Sequence, residues 1–143
     1  MSPRNAAGRF ALSIWPLLAA LGLIALIGVG WAAAQKWQQQ REDFAVARAL
    51  TGGDPARAAE LATRYGCAGC HTIPGLPGAE GKVAGPLSDL RARVYIGGVL
   101  PNTAENLVDW IVDPRRFSPR TAMPRTGISE REARDIAAYL YAQ

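Results

Sequence analysis

Tyr65-Gly66-Cys67-Ala68-Gly69-Cys70-His71-Thr72 is the stretch on which the reading of this 143-residue chain turns. The sequence holds two Cys and one His, and all three fall within the five positions from Cys67 to His71. Two thiols separated by two residues can each add to a vinyl group of a haem as a thioether. The adjacent imidazole then reaches the iron from the same side, so C-x-x-C-H reads as a covalent haem c attachment site. The pattern implies one haem, held through Cys67 and Cys70 and ligated by His71. Three other readings compete. A structural zinc site wants four N/S ligands, and the chain offers only three clustered ones. A thioredoxin-like redox pair wants a βαβ setting, of which there is no sign. A disulfide inside C-x-x-C closes too small a loop to stabilise much.

The opposite face of the iron needs a second ligand, and the supply is short. No second His exists. Of the two Met, Met1 stands ahead of a long apolar run, which leaves Met123 between Ala122 and Pro124. A thioether ligand raises the potential of a haem. The competing reading of Met123 is a gap-filling core side chain, and Lys82 is a weaker candidate ligand.

Around the motif the sequence reads as helices and loops. Asp54-Pro55 suits an N-cap and first helical residue, with a helix following to about Tyr65. A Gly- and Pro-rich loop covers residues 72–86, and a short helix is predicted over 87–95. Asn102 with Glu105 resembles a capping box. The helix it opens carries Leu107, Trp110 and Ile111 on one face and stops at Asp113-Pro114. A second loop holds Met123. Ser129 with Glu132 forms the last capping box, before a helix carrying Ile136, Tyr139 and Leu140. No segment reads as a strand. The expectation is an all-α domain of about four short helices with two long loops, and loops of that length need something large beneath them.

Residues 10–34 carry no formal charge. As a helix of about 37 Å they would cross a hydrocarbon core of about 30 Å. Trp15 and Trp31 would lie about 24 Å apart, near the two interfacial belts. Arg4 and Arg9 precede the span and predict residues 1–9 on the cytoplasmic side, with the remainder outside. Ala32-Ala33-Ala34 also satisfies a signal-peptidase pattern, so a cleaved leader competes with a retained anchor. Residues 35–53 read as a stalk or linker, on which Phe44, Val46 and Leu50 can pack back on the domain or meet a partner. Residues 54–143 hold 11 Lys and Arg against 10 Asp and Glu. That near-neutral balance argues against nucleic acid as a partner.

Several further motifs carry a family resemblance: Gly85-Pro86-Leu87, Asn106-Leu107-Val108-Asp109-Trp110-Ile111, Asp113-Pro114, Thr121-Ala122-Met123-Pro124 and Ala137-Ala138-Tyr139-Leu140. Together with Cys67 to His71 they resemble class I c-type cytochromes over about residues 54–143. The chain is most similar to the cytochrome c domains fused to or associated with bacterial haem–copper oxidases. The resemblance implies a class I cytochrome c fold around one covalent haem, preceded by one transmembrane helix. It also implies that Pro86 offers its carbonyl to the second nitrogen of His71, and that Tyr95 and Trp110 line the haem pocket. The family places a small residue and an aromatic where the first helix crosses the last. Here Ala58 and Ala59 are small, and the aromatic is displaced to Tyr65.

With His71 and Met123 on the iron no position is open to a substrate, which points to a single-electron carrier rather than an enzyme. The expected setting is a bacterial respiratory chain. The haem domain would sit on the periplasmic side of the inner membrane and pass electrons from a quinol-oxidising complex toward a terminal oxidase. The alternatives are a dedicated electron-entry subunit of a larger membrane complex, or a gas sensor from which Met123 departs. Arg115, Arg116, Arg120 and Arg125 flank Met123 and would steer an acidic partner.

Overall fold

A computed structural model describes residues 14–143; residues 1–9 and the first four of the expected span lie outside them. The chain divides into two compact units, Met1–Gln38 and Gln39–Gln143. Helix α1, Trp15–Thr51, runs through the division. Its first half is Leu-, Ala- and Ile-rich, with Pro16 in the first turn, where a missing N–H costs nothing. Its second half is built of Gln, Arg, Ala and Glu, all good helix formers. The helix stops where Gly52 takes the left-handed conformation (φ 70°) and donates its N–H to Arg48 O at 2.8 Å. Among the described residues α1 is the one helix long and apolar enough to cross a membrane. Its large apolar side chains from Trp15 to Trp31 are exposed.

In the second unit, Asp54 caps a 3₁₀ turn, Pro55–Arg57, by accepting from the Ala56 N–H. This turn leads directly into α2, Ala58–Arg64. Helix α3, Cys67–Cys70, is a single turn. Helix α4, Ala104–Val112, is followed by α5, Pro114–Phe117, and by the terminal helix α6, Glu130–Tyr141. Helix α6 is the centre of the unit, packing against α2, α4 and the Pro55–Arg57 turn. Ala133, Ala137 and Ala138 are fully buried on it and let neighbouring backbones come close, while Leu61, Leu107, Val108 and Leu140 fill the space between. Burying each such Leu contributes about 1.5–3 kcal/mol. The closest approach is at Gly53, where an added Cβ would lie 2.0 Å from Arg134 O.

The helical class read from the sequence stands, with three differences of detail. Residues 87–95 form no α-helix; only a 3₁₀ turn, Leu90–Ala92, appears there, because Asp89 takes a left-handed conformation (φ 51°) that interrupts the run. Among the described residues two strands are present: β1, Tyr95–Ile96, pairs antiparallel with β2, Leu100–Pro101, around Gly97 and Gly98, both at positive φ. The cap of α4 is Thr103, whose hydroxyl accepts from the Asn106 N–H at 3.2 Å; Asn102 instead spends its amide on Leu90 O and Arg93 O. The capping box of α6 is formed by Ser129 and Glu132 as read.

The compact unit begins at Gln39, ahead of the expected boundary at Asp54. Ala47 and Thr51 are buried, and the Phe44 ring lies 6.4 Å from that of Tyr139. Arg134 also donates to Thr51 O at 3.0 Å. Val46 and Leu50 stay exposed, at 42% and 51%.

Candidate functional site

Helix α2 ends at Tyr65, and Gly66 (φ 72°) turns the chain through a left-handed conformation into α3. Only glycine adopts that backbone without strain. Cys67 and Cys70 are three residues apart on one helical turn, so their side chains share a face. Both thiols are half-buried and unpaired in a disulfide. Burial raises the pKa of the Cys67 thiol.

His71 leaves the turn in an extended conformation, and its Nδ1 lies 2.7 Å from the carbonyl oxygen of Gly85. A carbonyl can only accept, so Nδ1 carries the proton and donates. The lone pair is therefore on Nε2, the nitrogen left for a metal. The carbonyl is Gly85's and not that of Pro86, one residue on, as the resemblance implied. Pro86 O instead accepts from Arg93 Nη2 at 2.6 Å. Which of two successive carbonyls faces the ring depends on the backbone torsions between them, and composition carries no signal for that.

The long loop after the motif folds back against it. Ile73 donates to Ala79 O, Ala84 to Cys70 O and Leu87 to Thr72 O. The Thr72 hydroxyl donates to Gly81 O at 2.9 Å. Gly81 is pressed so closely on the motif that a Cβ there would lie 2.6 Å from the Cys70 carbonyl carbon and 2.7 Å from Ala68 O. The Tyr139 hydroxyl donates to Pro74 O at 2.7 Å and ties this loop to α6.

Met123 is half-buried in the loop between α5 and α6; it and Cys67 both pack against the same apolar core. Its N–H donates to the Thr121 hydroxyl at 3.3 Å. Trp110 is buried, with Gly97 so close that an added Cβ would meet the indole at 2.6 Å. The Tyr95 ring is 57% exposed beside exposed Val94 and Val99. Lys82 is exposed. Ala58 is buried in the unit that α2 forms with α6, and the displaced aromatic does reach the last helix: the Tyr65 hydroxyl donates to Glu132 Oε2 at 2.9 Å. Of the four arginines near Met123, Arg116 stacks over Phe117 at 5.2 Å and Arg125 Nε faces Asp113 Oδ1 at 3.5 Å.

The donor set fits a covalently held haem. It offers two thiols on one helical face, and an imidazole with its tautomer fixed by a backbone carbonyl. A thioether stands on a separate loop around the same core. Among the described residues no three His, Cys, Asp or Glu side chains come together as a metal site of another kind.

The family model of cytochrome c matches residues 55–142. The chain belongs to the cytochrome c family, whose domains bind haem and carry electrons. It is also 37% identical over 76 residues to cytochrome c oxidase subunit 2 of Alkalihalophilus pseudofirmus, across 52% of this chain and 21% of that protein. The chain thus matches about a fifth of the length of that relative. No solved structure matches it.

Proposed function

We propose that the chain is a membrane-anchored monohaem c-type cytochrome that takes single electrons from a quinol-oxidising donor and passes them toward a terminal haem–copper oxidase. The observation that carries this reading is the His71–Gly85 hydrogen bond. It leaves Nε2 free at the end of a turn that presents two thiols on one face. Cys67 and Cys70 would hold the haem by thioethers, and His71 and Met123 would ligate its iron. The haem supplies reversible one-electron Fe(III)/Fe(II) chemistry. The residues do the rest. Gly85 O orients the imidazole and fixes its tautomer. The loop over residues 72–87 closes back on the attachment turn. With His71 and Met123 both given to the iron, the domain would serve as a carrier.

Residues 10–34 anchor the domain in the bacterial inner membrane, with residues 1–9 in the cytoplasm, residues 35–53 leading out and the domain of residues 54–143 in the periplasm. The exposed apolar surface of α1 supports the anchor. Arg115, Arg116 and Arg120 are exposed in the segment that precedes Met123 and fit an acidic docking surface. Tyr95 and Trp110 border the haem pocket. The likeness to an oxidase subunit favours a second arrangement, in which the chain is a fixed electron-entry subunit of a membrane complex rather than a free shuttle.

Two measurements test the reading. Haem should stay with the polypeptide through acid–acetone extraction; its release would overturn covalent attachment. Purification in mild detergent should bring a haem–copper oxidase along if the chain is a fixed subunit, and should yield the chain alone, reducible by a quinol-oxidising complex, if it is a shuttle.

A further inference from the structure

We propose that Arg93 is a positioning residue for the iron ligand, acting through Pro86 and Gly85 on His71. The inference rests on the proposed role of His71 and goes beyond it.

The peptide between Gly85 and Pro86 has one polar group to anchor it, because proline has no N–H. That group is the Gly85 carbonyl, which faces His71 Nδ1 at 2.7 Å. Gly85 has no side chain to restrict its own torsions. The orientation of this peptide is therefore set by what flanks it. On the preceding side, Ala84 is held by its N–H to Cys70 O at 2.9 Å. On the following side, the pyrrolidine ring fixes φ of Pro86, which leaves ψ to the Pro86–Leu87 peptide. That peptide is held at both polar groups: the Leu87 N–H donates to Thr72 O at 2.9 Å, and Arg93 Nη2 donates to Pro86 O at 2.6 Å and to Ser88 O at 2.9 Å. One terminal nitrogen thus uses both of its hydrogens to hold two carbonyls of the loop.

Arg93 is itself held from the core. Its carbonyl accepts from Asn102 Nδ2 at 2.8 Å, and Asn102 Oδ1 accepts from the Tyr141 hydroxyl at 2.7 Å. A continuous chain of contacts runs from α6 through Asn102 and Arg93 to Gly85 and the imidazole. A ligand imidazole that donates to a well-aimed carbonyl is more basic and favours the oxidised metal. Slackening the carbonyl raises the potential. Deleting a nearby positive charge, by itself, favours the oxidised iron and lowers it. The two roles open to Arg93 predict opposite signs.

The test uses the full-length holoprotein in detergent. Arg93→Gln should retain covalent haem, raise the potential relative to the parent, and speed solvent exchange of the His71 Nδ1 proton followed by NMR in the ferrous state. Arg91→Gln deletes a neighbouring charge without touching the loop carbonyls; it should leave proton exchange unchanged and move the potential downward or not at all. If Arg93→Gln fails to mature, Arg93→Met fills the same space without a donor and must show the same two changes. A lowered or unchanged potential with parental exchange of the ring proton overturns the proposal. Absence of covalent haem from the parent protein would instead strike the ligand assignment itself, and the two failures are thereby told apart.

Discussion

The Tyr65 hydroxyl donates to Glu132 Oε2 at 2.9 Å across 67 residues of sequence, joining the end of α2 to the first turn of α6. The same carboxylate accepts from the Ser129 hydroxyl and N–H, and Arg64 Nη1 lies 3.3 Å away. One side chain thereby closes the cap of the terminal helix and fixes the segment that delivers Cys67.

That convergence predicts a pH dependence. The Ser129 hydroxyl, then Tyr65, then the Ser129 N–H hold the Glu132 pKa down to about 2. A carboxylate whose folded pKa is depressed stabilises the protein fully above its unfolded value of about 4.3 and loses that contribution as pH falls toward the folded value. Thermal denaturation should therefore show the parent losing Tm between about pH 4.3 and pH 2, with Glu132→Gln starting lower and losing less over the same window. Equal slopes for the two proteins would count against this role.

Gly81 should tolerate no side chain. A Cβ would lie 2.6 Å from the Cys70 carbonyl carbon, with rigid backbone rather than a movable side chain in the way. Gly81→Ala should cost about 1–3 kcal/mol by overpacking and lower the yield of haem-loaded protein, because the strain falls on the attachment turn. Denaturation midpoints and the ratio of haem to protein check both effects. By contrast Gly78→Ala, at a positive φ that Gly81 does not share but with open space around its Cβ position, should leave haem loading intact.

Met123→Ala bears on the second axial position. The oxidised parent should show a weak band at the red end of the visible spectrum, arising from sulfur-to-iron charge transfer, as the family resemblance implies. The substitution should remove it, lower the potential because a soft thioether favours ferrous iron, and admit carbon monoxide to the reduced protein. The haem should remain attached through Cys67 and Cys70. Retention of the band together with exclusion of carbon monoxide would place a sulfur other than that of Met123 on the iron, whereas loss of the band with carbon monoxide still excluded would point to an amine ligand, with Lys82 the next candidate.

The anchor makes its own prediction. The chain should stay with membranes through a high-salt wash, and protease added from the outer side should digest the haem domain. A mature protein that starts at Gln35 and washes off would mean a cleaved leader instead.

Much of this was legible from one dimension. Cys67, Cys70 and His71 fall within five positions, so the motif they form is read from spacing alone. Asp54-Pro55 and Ser129 with Glu132 are local caps, whose partners lie within three residues. The apolar run of α1 needs only composition and length to be read. Helical periodicity likewise exposed the buried faces of α4 and α6, because a stripe every 3.6 residues is a property of the segment alone.

What the tertiary structure decided is what depends on contacts between distant segments. Gly85 rather than Pro86 faces the imidazole, because loop 72–87 is pinned by Ala84, Leu87 and Arg93 to other parts of the chain. Asn102 resembles a helix cap in sequence, yet its amide is drawn to Leu90 and Arg93 while Tyr141 claims its oxygen; Thr103 caps the helix in its place. Asp89 breaks an expected helix, and the compact unit reaches back to Gln39 because Phe44, Ala47 and Thr51 find cover on the terminal helix. Local chemistry is written in neighbouring letters, whereas the choice between equally available donors, acceptors and surfaces is made only when the chain folds and distant groups compete for them.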